Sequence, residues 1–369
     1  MNGLILCTNE CNLRCHYCFE ESMRNNCLTP INRIREDFDK FLDNYFDDFI
    51  DQLIAINTKL NRKETDITFH GGEPLLIGAE LFEKALIMIR KRPNMTIGIQ
   101  TNGTLIDDKI IELLKKYQVN VGISLDGPRY MHDVYRKNFG GGNTYDGIMN
   151  AIDKLKANGV MVGALATVTD VTLNYPEEFY KFFAEQKIPF SFNPCFIERD
   201  ATSSCSVLNT NEYIEFYKKV FDLWINDNDN NMELSCFERI ISAMCVKRTP
   251  YMEVCTYIPD CSKTTVAVCP NGDFYRCLHY CADEKNKIGN LGTDPLDKAF
   301  GDENFSKRWD VLKETECKDC DIKEFCCAGC PYVAESINGS IYSRSNTCET
   351  QRAIVHHIHD YLKGFTKNV

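Results

Sequence analysis

Over the first two hundred residues, short apolar runs with strand character alternate with longer amphipathic stretches. Read as elements, they predict strands over residues 3–7, 66–69, 96–101, 119–124, 161–168 and 190–193. Helices are predicted over about 33–58, 79–91, 107–117, 144–158 and 176–186. Asp107-Asp108 and Pro176-Glu177-Glu178 place acids in first helical turns, where the helix dipole favours them. Five to six strand–helix units with short connections predict an α/β fold around a parallel sheet, and periodicity alone leaves open whether that sheet is open or curled into a partial barrel. Either form places chemistry at the carboxyl ends of the strands.

Beyond about residue 199 the pattern changes. Stretches 213–226 and 238–246 read as helices, followed by short β-like pieces, the turn Pro270-Asn271-Gly272 and closely spaced cysteines, and then a closing helix over 349–364. That second part predicts a small domain organised by metal rather than by a large apolar core. At 369 residues the chain is long enough for two or three domains, and 44% apolar with 26% charged residues is ordinary for a globular protein. A net charge of −11 leaves few means of neutralising phosphates, which argues against nucleic acid as partner. No run approaches the roughly 18 apolar residues of a membrane span, and the N-terminus has no basic leader or cleavage site. No membrane partner and a cytoplasmic location are therefore expected.

Twenty cysteines change the picture. Without a leader, disulfides are not the expectation, and so many reduced thiols point to soft metal ligands. Five lie between Cys7 and Cys27, and eleven more between Cys255 and Cys348. The first group contains Cys11-Asn-Leu-Arg-Cys15-His-Tyr-Cys18, just after the first predicted strand. Three thiolates on so short a loop suit three irons of a 4Fe–4S cluster and leave the fourth iron open. A zinc site completed by His16, or buried thiols, would use the same residues.

A C-x3-C-x2-C loop with an aromatic before its last cysteine resembles the radical S-adenosylmethionine (SAM) enzymes. Similar segments follow in order: Phe69-His70-Gly71-Gly72-Glu73-Pro74, Gln100-Thr101-Asn102-Gly103-Thr104 and Ser124-Leu125-Asp126-Gly127-Pro128. The resemblance implies a partial (β/α)6 TIM-like barrel over residues 1–205, with a 4Fe–4S cluster on Cys11, Cys15 and Cys18. It further implies SAM contacts from Tyr17, Gly71, Gly72, Glu73, Ser124, Arg136 and Phe196. The cluster would donate one electron to SAM, and the resulting 5′-deoxyadenosyl radical would abstract a hydrogen atom from a bound peptide or protein.

The second cysteine group reads Cys261, Gly272, Cys277, then Cys317-x2-Cys320-x5-Cys326-x3-Cys330, and Cys348. C-x2-C-x5-C alone would suit a zinc ribbon, but the whole pattern resembles the SPASM extension of radical SAM enzymes that modify peptides. By that resemblance, Cys255, Cys261, Cys277 and Cys330 bind an inner auxiliary 4Fe–4S cluster, and Cys317, Cys320, Cys326 and Cys348 an outer one, making three clusters in all. The expected organisation is a barrel over 1–205, a helical bridge over 206–254, a SPASM domain over 255–348 and a C-terminal helix over 349–369. Of the cysteines left over, Cys195 and Cys281 are candidates for active-site thiols.

The chain is similar to anaerobic sulfatase-maturating enzymes over nearly its whole length, with one departure. Those enzymes carry an aspartate general base directly after the third inner-cluster cysteine, and here that position is Leu278. His279 and Asp273 are the neighbours that could substitute. With the cysteine loop only ten residues in, the N-terminal peptide-recognition domain of many ribosomal-peptide maturases is not expected here. The resulting expectation is an oxidoreductase that matures a ribosomally synthesised peptide by an intramolecular crosslink such as a cysteine thioether. Formylglycine formation in a sulfatase is the alternative enzyme, and an iron–sulfur electron-transfer protein the non-enzymatic one. A ferredoxin or flavodoxin is the implied reductant.

Overall fold

The computed structural model describes residues 1–18, 29–195, 208–228, 232–245 and 257–366. Two compact units emerge: Met1–Leu125 with His132–Ala164 and Thr265–Asp302, and Asp126–Met131 with Leu165–Thr264 and Glu303–Val369.

In the first unit β1 (Asn2–Leu6), β2 (Thr65–His70), β3 (Met95–Thr101) and β4 (Val119–Ser124) pair in parallel and in sequence order. The intervening helices are α1 (Ile31–Phe41), α2 (Asp47–Lys59), α3 (Ala79–Arg90) and α4 (Asp108–Lys116). β2, β3 and β4 alternate strictly. Ile67 and Phe69, Ile97 and Ile99, and Val121 and Ile123 are buried on one face, each worth roughly 1.5–3 kcal/mol. The other face carries Thr68, Gly98, Gln100, Gly122 and Ser124, which are half-buried. A parallel sheet is ordinarily apolar on both faces. Here small and polar residues in register (Thr68 beside Gly98, Gln100 beside Gly122) leave the second face lined for a polar occupant.

Asp107 proves to be the cap of α4, its carboxylate accepting from Ile110 N at 2.8 Å, with Asp108 as the first helical residue. The single helix expected over 33–58 is two helices joined by a π-helical turn, Leu42–Phe46. Buried Phe38, Phe41, Phe46 and Phe49 keep one continuous apolar stripe through it, so the interruption leaves no mark in the periodicity.

The sheet does not end with the first two hundred residues. β7 (Thr265–Val268), from the cysteine-rich stretch, pairs in parallel with β1, Gly3 opposite Val266. β8 (Asp273–Tyr275) and β9 (Gly289–Asn290) continue antiparallel, so the strand order of this unit is β4-β3-β2-β1-β7-β8-β9.

β5 (Val162–Val168) begins in the first unit, where Val121 N donates to Met161 O at 3.2 Å, and ends in the second with β6 (Phe190–Pro194) beside it. Between them runs α7 (Pro176–Gln186), so strand and helix alternate as expected. The second unit's core is aromatic: Phe179, Phe183, Phe190, Phe192, Phe216, Phe221 and Phe237 are buried, with Phe183 and Phe190 stacked at 4.3 Å. The helices α6 (Tyr145–Ala157), α8 (Thr210–Ile225), α9 (Ser235–Cys245) and α13 (Cys348–Thr366) match expected stretches. The sequence reading misses α5 (Arg129–Tyr135), α10 (Glu303–Glu314), α11 (Lys323–Cys326) and α12 (Pro331–Asn338). No helix among the described residues is long and apolar enough to cross a membrane.

Candidate active site

The loop that carries Cys11 leaves β1 and is gripped by the segment that leaves β2. Gly72 N donates to Thr8 O and Glu73 N to Glu10 O, both at 2.8 Å. A β-carbon on Gly71, whose φ is +129°, would stand 2.5 Å from Thr8 O, and one on Gly72 would overlap the Glu10 carbonyl. The two glycines are thus required by backbone packing against the loop, where the sequence suggested room for a ligand. Glu73, fully buried, accepts from Leu75 N at 3.0 Å, Thr101 Oγ1 at 2.7 Å and Asn102 N at 2.8 Å. Burial pushes its carboxyl up to about 6, against the lowering pull of those donors.

Through Glu73 the ends of β2 and β3 are joined, and through Asn102 the join reaches the first cysteine. Asn102 Nδ2 lies 3.6 Å from Cys11 Sγ and donates to Asn12 Oδ1 at 2.9 Å, while Leu13 N lies 3.4 Å from the same sulfur. Two N–H groups aimed at one sulfur are how proteins stabilise a metal-bound thiolate. Asn102 lies within the Gln100–Thr104 segment singled out in the sequence, but its approach to sulfur had no signal there.

The rest of the cysteine loop is held edge to edge by residues 135–138. Arg14 N donates to Lys137 O at 2.7 Å and His16 N to Tyr135 O at 3.0 Å. Tyr17 meets the edge of Tyr135, ring centres 6.2 Å apart, and the buried Arg136 guanidinium lies 5.4 Å from the Tyr17 ring centre. Thr144, itself bonded to His132 and Asp133, anchors the Arg136 carbonyl at 3.1 Å. At the end of β4, Ser124 Oγ accepts from Gln100 Nε2 at 3.2 Å, and Gly122 leaves the space that Gln100 occupies. The first unit therefore brings Cys11, Gly71, Gly72 and Glu73 into one hydrogen-bonded network and sets Tyr17 against Arg136. Phe196 lies outside the described residues.

A second thiol cluster lies in the second unit. Cys317, Cys320, Cys326 and Cys348 line one small cavity together with Ser345 and Gln351. Burial, and then mutual repulsion, pushes Cys326 up to about 12 and raises Cys317 and Cys348. Such thiols ionise readily only when a cation takes their charge. Cys326 Sγ lies 2.7 Å from Gln351 Oε1. Among the described residues no group of three or more His, Cys, Asp or Glu side chains is arranged around a single metal ion. These four surround a space instead, and an all-thiol donor set around it fits an iron–sulfur cluster. Cys330 follows the same loop and is raised by burial; Cys261 is half-buried at a short 3-10 turn, and Cys255 lies outside the described residues.

Leu278 is buried at the start of the 3-10 turn Leu278–Ala282. Asp273 is committed elsewhere: its oxygens accept from Asn271 Nδ2, in the turn before β8, and from Asn290 Nδ2, in β9, each at 2.8 Å. Cys281 is buried with its sulfur 3.6 Å from Cys277 O, and Cys195 is buried beyond β6 with its amide on Val168 O at 2.7 Å. The histidines of α13 face carboxylates, His356 on Asp321 at 2.8 Å and His357 on Asp222 at 2.6 Å.

Comparison with known proteins agrees with this geometry. The family model of the radical SAM superfamily matches residues 5–183. The chain is 26% identical to the cysteine-type anaerobic sulfatase-maturating enzyme of Clostridium perfringens (strain 13), covering 97% of this chain and 96% of that one. It shares its fold with anSMEcpe, solved with bound AdoMet and a Kp18Cys peptide, at 24% identity and a TM-score of 0.80, covering 100% and 99% of the two chains. It shares the fold less closely with Streptococcus suis SuiB bound to precursor peptide SuiA, at 17% identity, TM-score 0.65 and 94% and 75% coverage. Residues 5–183, which carry the three thiols, the docked glycine pair and the polar strand ends, are thus a radical SAM domain, and the chain is similar over nearly its whole length to anaerobic sulfatase-maturating enzymes.

Proposed function

We propose that this enzyme oxidatively matures a ribosomally synthesised peptide, closing an intramolecular crosslink such as a cysteine thioether. The observation that carries the reading is Leu278: a buried leucine stands where sulfatase maturases hold their aspartate base, and Asp273 is tied into its own turn. Bound at the Cys11–Cys18 loop, a 4Fe–4S cluster with SAM supplies a 5′-deoxyadenosyl radical able to take a hydrogen atom from an unactivated carbon.

The chain's own residues do the positioning. Gly71, Gly72 and Glu73 present their backbone beside Cys11 for the methionine end of SAM. Tyr17 and Arg136 would flank it and Ser124 would contact it from the end of β4; Phe196, which the resemblance assigns to the adenine, lies outside the described residues. Asn102 and Leu13 donate to the Cys11 thiolate and hold its charge. In this reading Cys255, Cys261, Cys277 and Cys330 hold the inner auxiliary cluster and Cys317, Cys320, Cys326 and Cys348 the outer one. The barrel spans 1–205, the bridge 206–254, the SPASM part 255–348 and the closing helix 349–369. The reductant is a ferredoxin or flavodoxin, and the reaction runs in the cytoplasm.

Sulfatase maturation is the second reading, favoured by the near-full-length similarity to a sulfatase-maturating enzyme. Leu278→Asp separates the two. If the wild type leaves a cysteine-type sulfatase peptide unchanged and Leu278→Asp does not improve its action on a precursor peptide, the crosslinking reading stands. Formylglycine formed by the wild type would refute it.

A further inference from the structure

Between Cys326 and Cys330 the chain is only Cys327-Ala328-Gly329, and all three residues have left-handed backbones, with φ of +51°, +65° and +70°. Glycine takes that conformation freely, whereas Cys327 and Ala328 are strained in it. Such strain persists only where the surroundings over-determine the backbone. Here most of the side-chain contribution comes from one residue.

Arg308, on α10 and 2% exposed, turns its guanidinium onto the turn from below. Nη1 donates to Cys327 O at 3.4 Å and Gly329 O at 3.2 Å, and Nη2 to Ala328 O at 3.0 Å. The same group reaches the strand of chain that leads to Cys348, with Nε on Ile341 O at 2.6 Å and Nη2 on Ser343 O at 3.1 Å. Ser345 N closes the frame by donating to Ala328 O at 3.2 Å. Two residues before Arg308, Ser306 Oγ donates to Asp260 Oδ2 at 2.7 Å, fixing the residue next to Cys261.

We infer that Arg308 is the positioning residue for the auxiliary ligand sets, clamping the strained turn so that Cys326 and Cys330 point to separate clusters while Cys348 is held on the outer one. Its planar fork of donors suits five carbonyls, a task that the point charge of lysine cannot repeat. This inference rests on the auxiliary-cluster reading given above.

The test uses the full chain, reconstituted anaerobically with ferrous iron and sulfide. Iron per chain and the electron paramagnetic resonance of the reduced protein are compared for wild type, Arg308→Met, Arg308→Lys, Arg308→Lys/Ala328→Gly, and Cys317→Ala as the reference for outer-cluster loss. Three clusters give the wild type about twelve irons, and Arg308→Met should lose between about four and about eight while keeping the signal of the Cys11–Cys18 cluster. Arg308→Lys should lose fewer, and adding Ala328→Gly should restore iron, because glycine removes the strain that the clamp holds. A purely structural arginine would give no such rescue. Wild-type iron and spectra in Arg308→Met would overturn the inference. If Arg308→Met does not fold, absence of rescue in the Lys/Gly pair overturns it. A wild type with only about four irons would instead refute the auxiliary-cluster reading itself.

Discussion

The strand-end site and the four-cysteine cavity both gather thiols, but they are built by different means. At the strand ends, position comes from β-ladder register and backbone docking: Gly72 and Glu73 bond Thr8 and Glu10 directly, and Asn102 carries the join to Cys11. Around Cys317–Cys348 there is no strand, helices are short, and a buried arginine and a glutamine hold carbonyls and sulfur in place. A sheet supports the first site with or without iron. On the proposed reading the second would owe more of its stability to the metal, as small metal-organised domains do.

The comparison breaks most visibly at the ligands. Cys11→Ala should bring 5′-deoxyadenosine formation down to background while leaving the iron of the other region in place, as read by chromatography and iron assay. Iron removal by a chelator should act in the opposite place. Proteolysis within 317–348 should accelerate at least about tenfold, whereas cleavage within 65–124 stays unchanged, because only the first stretch loses its support. Equal acceleration in both would erase the distinction.

Within the strand-end site, Gly72→Ala forces a β-carbon into the Glu10 carbonyl and should cost about 3 kcal/mol, with SAM binding weakened in calorimetry. Glu73→Gln gives the smallest effect and the sharpest. The folded carboxyl, pushed up to about 6 from 4.5, holds its proton more tightly than the unfolded chain does. Its contribution is therefore fully present below pH 4.5 and is lost as pH rises through 6, a fall of about 2 kcal/mol. Denaturant titrations across that window should show the slope in the wild type and a flatter profile in Glu73→Gln.

What was legible in the sequence divides along the same line. Strict alternation in β2, β3 and β4 set the strand limits to within a residue, and the segments at their ends mark the site because each must follow a strand. The pairing of Thr265–Val268 with β1 was not legible, since register between segments some 260 residues apart leaves no local pattern. Nor was α10, whose buried positions Phe305, Arg308, Trp309 and Leu312 include a charged residue that periodicity counts as solvent-facing. Arg308 is one of 42 basic residues, and only the five carbonyls around it set it apart. For the Gly71-Gly72 pair the fold adds a reason that the sequence does not show, chain packing against the cysteine loop.

Most direct is mass spectrometry of anaerobic reactions containing the reconstituted enzyme, SAM and a reductant, with cysteine-bearing precursor peptides and a sulfatase peptide supplied separately. A precursor that loses two hydrogens, and whose cysteine no longer alkylates, is the predicted result. Conversion of the sulfatase peptide to formylglycine, with the precursors untouched, would contradict it and show that another side chain does the work of the aspartate that Leu278 replaces.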